Sequence, residues 1–591
     1  MLFRFLMRLF ATIGLLVVVV VGVGIALALT YRGKAPEVAA NTVLELDFDK
    51  PVTDGAERQP LSRLLGGGGT TLPRVLETLR RAGTDDRVKG VIARVGNGGM
   101  GIAQIQELRD AIKAFRAKGK FAIAYAESFG EGGPGTGSYY LATAFDDIWL
   151  QPLGGVGLTG IRSEAMFLRG TLDKLGVVPR LDHREDYKTA MNMVTETGLT
   201  PAHRESLEST LGSIYGQIVA GIGDGRKLDP DKVKNLVDNG PYPTEEAKSS
   251  GLVDHVGYRD EAFAASRARA GANPSFSALS RYLSATDADH TGGTVIAILH
   301  ANGMISRGDG GTSALSRDES VTSDSFTRAI RAAVADPAVK AILLRVDSPG
   351  GSAVASETIW RETVRARDVG KPLIVSMGDV AGSGGYYIAA SADKIVAEPG
   401  TITGSIGVVG GKILLGGLYD KLGIATGAVG FGKNSDMFSD TADFSTAGNA
   451  RFEQSLDEVY AGFKDRVARG RKLTPARVEE IAKGRIWSGE EAKANGLVDA
   501  LGGYDVALDL VRAAAKLDKG APIELRDFPR PRSPLDLVLA GLRDAGDTDQ
   551  QVTIAPGLVR LMAALDPILR RVELLTAPPG SVTMPAVDFQ Q

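Results

Sequence analysis

Ser383 stands in the run Ala381-Gly382-Ser383-Gly384-Gly385-Tyr386-Tyr387, where three flanking glycines let a substrate backbone come close to a hydroxyl. The run follows an expected strand ending near Gly378-Asp379 and opens an expected helix, YYIAASADK, whose first turn supplies oriented N–H groups. A hydroxyl so placed is a candidate nucleophile for acyl transfer. It is not the G-x-S-x-G elbow, because position 381 is Ala. Taken alone, the run reads more readily as a flexible turn. A second run, Ser348-Pro349-Gly350-Gly351, follows VKAILLRVD and offers adjacent backbone N–H donors for the oxyanion of a tetrahedral intermediate. A type II turn built on Pro-Gly is its other use. A serine also needs a base. His300 ends an apolar run, TVIAILH, and His183, His203, His255 and His290 lie in polar segments, so none is well placed for a Ser-His-Asp triad. The alternative base is a lysine made neutral by desolvation, a known variant of the triad logic. With 68 Lys and Arg in the chain, composition does not choose which one.

Composition narrows the chemistry further. There is no Cys, which excludes thiol catalysis, disulfides and Cys-bearing metal sites, and five His make a His-rich metal centre an unpromising expectation. The net charge of −3 does not point to a nucleic-acid ligand. At 591 residues the chain exceeds one compact core, so at least two domains are expected.

The elements that must position these loops are written twice. DDRVKGVIARV (85–95) reappears as DPAVKAILLRV (336–346), GTGSYYLATAFDDIWLQP (135–152) as GSGGYYIAASADKIVAEP (382–399), and EEAKSSGLVD (245–254) as EEAKANGLVD (490–499). LDKLG (172–176) likewise returns as YDKLG (419–423). A repeat at this spacing is a whole duplicated domain, not a solenoid of short units. Apolar runs such as VKAILLRV and KPLIVSMG read as buried strands, and ASETIWRETVRARDVG reads as a helix. Strands alternating with helices imply an α/β fold with a parallel sheet, its chemistry at the carboxyl ends of the strands. The first copy has Thr136 where the second has Ser383, and Ser138 where the second has Gly385. One copy has kept the small-residue loop and the other has not.

The expected organisation is a membrane anchor with short flanks over 1–34, a first copy over 35–272, a linker over 273–293, a second copy over 294–519 and a tail over 520–591. Residues Leu9 to Thr30 carry no charge, and about 20 apolar residues span a hydrocarbon core of about 30 Å, so a transmembrane helix is expected there. A cleaved signal with Ala26-Leu27-Ala28 as cleavage site is the alternative. Arg4 and Arg8 precede the run while Arg32 and Lys34 follow it, so charge orients it only weakly, N-terminus inside and bulk outside. In the tail, Gly557 to Val572 has helical apolar spacing interrupted by Pro567.

The repeat, Asp347-Ser348-Pro349-Gly350-Gly351, the Ala381–Tyr387 loop and Thr403-Gly404-Ser405-Ile406-Gly407 together resemble the signal peptide peptidase A family in its long, two-copy form, also called protease IV. The resemblance covers nearly all of the chain from the uncharged run to about residue 515. It implies tandem Clp-protease/crotonase-like domains and a Ser–Lys dyad. The family's Tyr-Lys-Ser-Ala motif matches Tyr187-Lys188-Thr189-Ala190 here, with Thr189 as a departure that keeps the hydroxyl, and the family's serine matches Ser383. It further implies Ser405 as the residue that orients the lysine, and an oxyanion hole from Gly350 or Gly351 with Gly384. A short gap in the second copy aligns either Lys433 or Ser435 with Lys188, which makes Lys433 the rival base. No metal or other cofactor is implied. The implied partners are released signal peptides and other short apolar peptides, the membrane, and further copies of the chain as a homo-oligomer, a tetramer in the family; nucleic acid is not among them. The implied location is the inner (cytoplasmic) membrane, crossed once, with the catalytic bulk on the periplasmic side. The competing functions are a non-catalytic membrane scaffold and a crotonase-like acyl-CoA enzyme, whose fold also uses paired backbone N–H donors.

Overall fold

The computed structural model of the protein describes residues 37–55, 70–96, 99–286, 290, 292–309 and 320–529, with the backbone of Ser581–Thr583 and Phe589–Gln590. The uncharged run 9–30 and the apolar tail segment 557–572 lie outside the described residues. Among the described residues no helix is long and apolar enough to cross a membrane.

Near-continuous apolar runs make strands that are buried on both faces, which is the signature of a parallel sheet. Two such sheets form. The first runs, in spatial order, His255–Val256, Asp147–Leu150, Phe121–Ala126, Val88–Arg94, Thr42–Asp47 and Ser275–Ala278, with every pairing parallel. The second runs Ile486–Ser488, Ile402–Gly404, Leu373–Gly382, Val339–Ser348, Thr294–Asn302 and Ile523–Asp527, parallel except at its first pairing. Amphipathic helices cover the sheets, Leu72–Thr84 and Ile102–Arg116 in the first copy, Ser323–Ala335 and Ala353–Asp368 in the second. The copies are not independent bodies. One apolar cluster runs from Leu44 and Leu108 in the first to Leu343, Ile374 and Leu508 in the second.

Two strands of the second copy are longer than their apolar runs. The strand that reads KPLIVSMG continues to Gly382, because residues 380–382 find a fresh partner in Ile402–Gly404. Val339–Ser348 extends one residue past Asp347, and Gly350–Ser352 forms a separate short strand. The expected helix at YYIAASADK is shorter, Gly384–Ala389, with Ser383 as its N-cap residue. Each copy ties this helix down alike: buried Tyr139 donates its hydroxyl to the Leu252 carbonyl, and buried Tyr386 to that of Leu497.

A third sheet joins the copies. Val178–His183 of the first copy pairs antiparallel with Val409–Leu414 of the second, so chain just before Lys188 becomes an edge strand of the opposite copy. Deeper in the junction, Arg345 is buried with its guanidinium 2.5 Å from Asp54 and 2.7 Å from Glu107, both from the first copy. Asp379, on the strand that leads to Ser383, accepts the Ala103 and Gln104 backbone N–H groups at 2.8 and 3.2 Å. Burial pushes the Asp347 carboxyl up to about 8 and that of Asp379 up to about 7, with neighbouring carboxylates adding to the rise.

Candidate active site

Ser383 is fully buried at the junction of a strand and a helix, and its backbone is strained: φ is +56° and ψ −115°. A non-glycine residue held in the left-handed half of φ space persists only where its surroundings over-determine it, and such residues cluster at functional sites. Here the Ser383 N–H donates to the Gly404 carbonyl at 2.8 Å, and the Tyr387 N–H donates to the Ser383 carbonyl at 2.8 Å. Ser405, one residue beyond Gly404, is likewise at positive φ (51°). In the first copy Thr136, 247 residues before Ser383, is instead the first residue of a helix and donates its hydroxyl to the Gly160 carbonyl at 2.8 Å. A β-branched side chain is disfavoured at positive φ, so the threonine copy has lost the backbone geometry as well as the hydroxyl's freedom.

Lys188 comes from the first copy, on a short turn just after Val178–His183. Its Nζ lies 2.8 Å from Ser383 Oγ, 3.0 Å from the Ser405 carbonyl oxygen and 3.0 Å from Ser405 Oγ. All three residues are fully buried. Among the described residues no carboxylate pairs with the amine, and burial alone holds it well below the ordinary lysine range. A neutral amine has two N–H donors and one lone pair. The Ser405 carbonyl and hydroxyl oxygens accept the two donors, which leaves the lone pair for the Ser383 hydroxyl. Three oxygen neighbours would suit the ammonium as well, so it is burial, not the count of partners, that favours the neutral amine.

The turn that carries Lys188 is clamped to the second copy on both sides. Arg184 reaches Glu453 at 2.6 Å and Asp457 at 2.5 Å, and the Tyr187 hydroxyl donates to Glu205, which also binds Arg485 at 2.7 Å. Beneath the lysine, Gly484 has φ +78°, and a Cβ there would meet the Lys188 nitrogen and Cβ at 2.5 Å. Gly484→Ala should therefore strain the loop and displace Lys188. A shift of about 1 Å at a reacting group costs on the order of 10²-fold in rate. Steady-state peptide hydrolysis beside a melting curve checks this: a folded variant with parental kcat would show that Gly484 does not set the lysine's position.

The glycines around the serine form a tight floor. A Cβ on Gly384 would lie 3.1 Å from both Gly350 Cα and the Gly351 nitrogen, so the two loops are in backbone contact. The Gly350 N–H donates to Ser348 Oγ at 3.2 Å, while Gly350–Ser352 pairs with Ile305 and with the backbone of Ser581–Thr583. Gly384 opens the helix after Ser383, where the first N–H groups have no intrahelical partner. Lys433 is exposed in a loop of the second copy, and His300 is buried beside Asp527 at 3.8 Å.

Gly484, Arg345 and Asp379 carry no motif of their own. The one sequence signal among them is Arg345 itself, a charge inside the apolar run VKAILLRV.

Comparison with known proteins shows the family. The model for "Peptidase family S49" matches residues 114–273 and 365–518, once in each copy. The chain belongs to peptidase family S49. It is thus a serine peptidase, an enzyme that acts on peptides. Protease 4 of Salmonella typhi is 32% identical over 531 residues, which covers 86% of this chain and 83% of that one. The chloroplastic serine protease SPPA of Arabidopsis thaliana is 31% identical over 486 residues, 80% of this chain and 70% of that one. A putative signal peptide peptidase SppA of Enterococcus faecium is 36% identical over 229 residues, 39% of this chain and 66% of that one. The two long relatives align across both copies, as expected for the duplicated form of an S49 peptidase.

Proposed function

We propose that this S49 peptidase hydrolyses peptide bonds with a Ser383–Lys188 dyad assembled from both copies. The observation that carries the proposal is the 2.8 Å approach of a buried lysine amine, with no carboxylate partner among the described residues, to a serine hydroxyl on a strained backbone. Neutral Lys188 takes the Ser383 proton as Oγ attacks the substrate carbonyl carbon. The negative charge that develops on the carbonyl oxygen is met by backbone N–H groups, Gly384 first and the Gly350–Gly351 segment beside it. Protonated Lys188 then gives its proton to the leaving amine, and water, deprotonated by the same lysine, releases the acyl group and restores Ser383. Ser405 orients the amine through its hydroxyl and carbonyl.

Each copy is of the Clp-protease/crotonase type in this reading; the first supplies the base and the second the nucleophile. The uncharged run Leu9 to Thr30 anchors the chain in the inner membrane, with both copies on the periplasmic side. The substrates are cleaved signal peptides and similar short apolar peptides, which such an anchor would meet in the bilayer. The name of the Enterococcus faecium relative supports the same substrate class. The chain works as a homo-oligomer.

Labelling tests the dyad directly. A fluorophosphonate should modify the intact chain on Ser383, with adduct mapped by peptide mass. The rate should rise with pH through one ionisation well below the ordinary lysine value of about 10.4, because only the neutral amine accepts the proton. Label on another residue, or a rate that rises only near pH 10, would remove the dyad reading.

A further inference from the structure

The helices Ile102–Arg116 and Ala353–Asp368 are counterparts in the repeat, and they are capped differently. The first N–H groups of a helix have no intrahelical partner, so a side chain just ahead of them commonly accepts one. In the second copy that residue is Ser352, whose Oγ accepts the Ala355 N–H at 3.3 Å. In the first copy it is Gly101, which has no side chain to offer. The cap comes instead from the other copy. Asp379 Oδ1 accepts the N–H groups of Ala103 at 2.8 Å and Gln104 at 3.2 Å, the second and third residues of the helix. Gly101 has φ −70° and ψ 164°, a backbone open to any residue, so conformation does not demand a glycine here. Space does, because a Cβ on Gly101 would overlap the Asp379 carboxyl group. Where the second copy has Asp379 the first has Ser128, whose hydroxyl donates to the Gly155 carbonyl of its own copy at 3.3 Å.

Asp379 stands at a gap in the ladder of its own strand. Residues up to Met377 pair along Val339–Ser348, and residues 380–382 pair with Ile402–Gly404. Between them, residues 378 and 379 have no ladder partner among the described residues. Ser383 follows four residues after Asp379. The other strand beside the serine is tied to the same helix. The Gly400 N–H donates to Gln106 Oε1 at 2.7 Å, and Gly400 leads into Ile402–Gly404, whose last carbonyl receives the Ser383 N–H at 2.8 Å. We propose that Asp379 is a positioning residue for the peptidase reaction: its cap on Ile102–Arg116 sets where Ser383 stands relative to the copy that carries Lys188. The second copy shows that such a helix can cap itself; the first has a cap that spans the junction in place of its own. Losing an ordinary cap disturbs one helix end. Losing this one also frees the arch at 378–379, and with it the serine, from the amine 2.8 Å away. The cap needs an acceptor oxygen more than a full negative charge, since burial pushes the Asp379 carboxyl up to about 7. Asparagine supplies the same oxygen.

The proposal rests on the dyad reading, and three measurements on the intact chain keep the two apart: steady-state peptide hydrolysis, a melting curve and fluorophosphonate labelling. Asp379→Ala should lower kcat by about 10–100-fold with KM little changed, since a shift of about 1 Å at a reacting group costs on the order of 10²-fold. Labelling of Ser383 should slow in proportion. Asp379→Asn should keep most of the parental kcat. Gly101→Ser alone should also lower kcat, because its Cβ drives the Asp379 carboxyl out even as the hydroxyl gives the helix a local cap. The double variant Gly101→Ser with Asp379→Ala separates positioning from stability. Its helix is capped within its own copy, as Ser352 caps the counterpart, so the melting temperature should return towards the parental value while kcat stays low. Recovery of kcat along with stability would reduce Asp379 to an ordinary helix cap and overturn the proposal. A folded Asp379→Ala chain with parental kcat, or an Asp379→Asn chain as slow as Asp379→Ala, would overturn it too. In each of these cases label on Ser383 in the parent leaves the dyad standing. Label on another residue of the parent would remove the dyad reading and the positioning role with it.

Discussion

Ser383→Ala and Lys188→Ala should each lower peptide hydrolysis by at least about 10⁴-fold, and the double variant should be little worse than either single one. Members of a nucleophile–base unit act together, so their losses do not add. The two variants should differ in stability. Ser383→Ala removes one hydroxyl from a site where the amine keeps two other oxygens within 3.0 Å. Lys188→Ala empties a fully buried four-carbon stem and leaves a cavity, although it also removes an amine whose burial is unfavourable. Lys188→Met keeps the stem and discards the amine, so it should be inactive and at least as stable as the parent. The pH dependence of stability gives an independent check with a definite sign. The folded state holds the amine neutral where the unfolded chain binds a proton, so Lys188 makes folding less favourable below about pH 10 and this penalty fades as pH rises. Lys188→Met should lose that part of the slope in a series of denaturant titrations. Parental hydrolysis by Lys188→Ala would move the base elsewhere, with Lys433 the first residue to test.

Arg345→Met should be the most damaging substitution away from the dyad. Arg345 and Asp54 are each about 1% exposed in their side chains, and Glu107 is about 2% exposed. Removing the one cation leaves two carboxylates buried at the junction of the copies. Breaking a buried pair from one side typically costs about 3–5 kcal/mol, whereas exchanging a whole buried ionic group for apolar residues is often close to neutral. Hence Arg345→Met combined with Asp54→Asn and Glu107→Gln should recover much of the loss. Because the dyad is divided across this junction, the single variant should also lose hydrolysis in parallel with its thermal transition. A single variant within about 0.5 kcal/mol of the parent would show that the cluster does not hold the copies together.

The sequence was most informative where physical demands fall on short runs of chain. Val339–Ser348 and Leu373–Gly382 were visible because a strand buried on both faces must be apolar throughout, and Ser383 because the close approach of backbones leaves little but glycine around it. Arg345 shows where local pattern stops. Its counterpart in the repeat, Arg94, has a side chain 44% exposed and pairs with Asp49 and Glu127 at the surface. The residue type and strand position are the same, but only Arg345 is covered by another copy. Gly484 is a plainer case. Nothing in Lys483-Gly484-Arg485 marks the glycine, because the atoms that require it belong to Lys188, almost three hundred residues earlier.

The amino-acid sequence by itself determined that this protein is a duplicated α/β chain, with a serine in a glycine loop in one copy and a threonine at the same place in the other. Those properties reside in local periodicity and in the comparison of one half with the other. Which lysine meets Ser383 was a tertiary decision, since composition left 24 candidates and only resemblance singled out one. The fold exchanges the edge strand Val178–His183 between copies, carries Lys188 into a fully buried junction and surrounds its amine with three oxygens. Desolvation is a property of what surrounds a group in space, so the neutrality of that amine could be set only once the two copies had closed upon it.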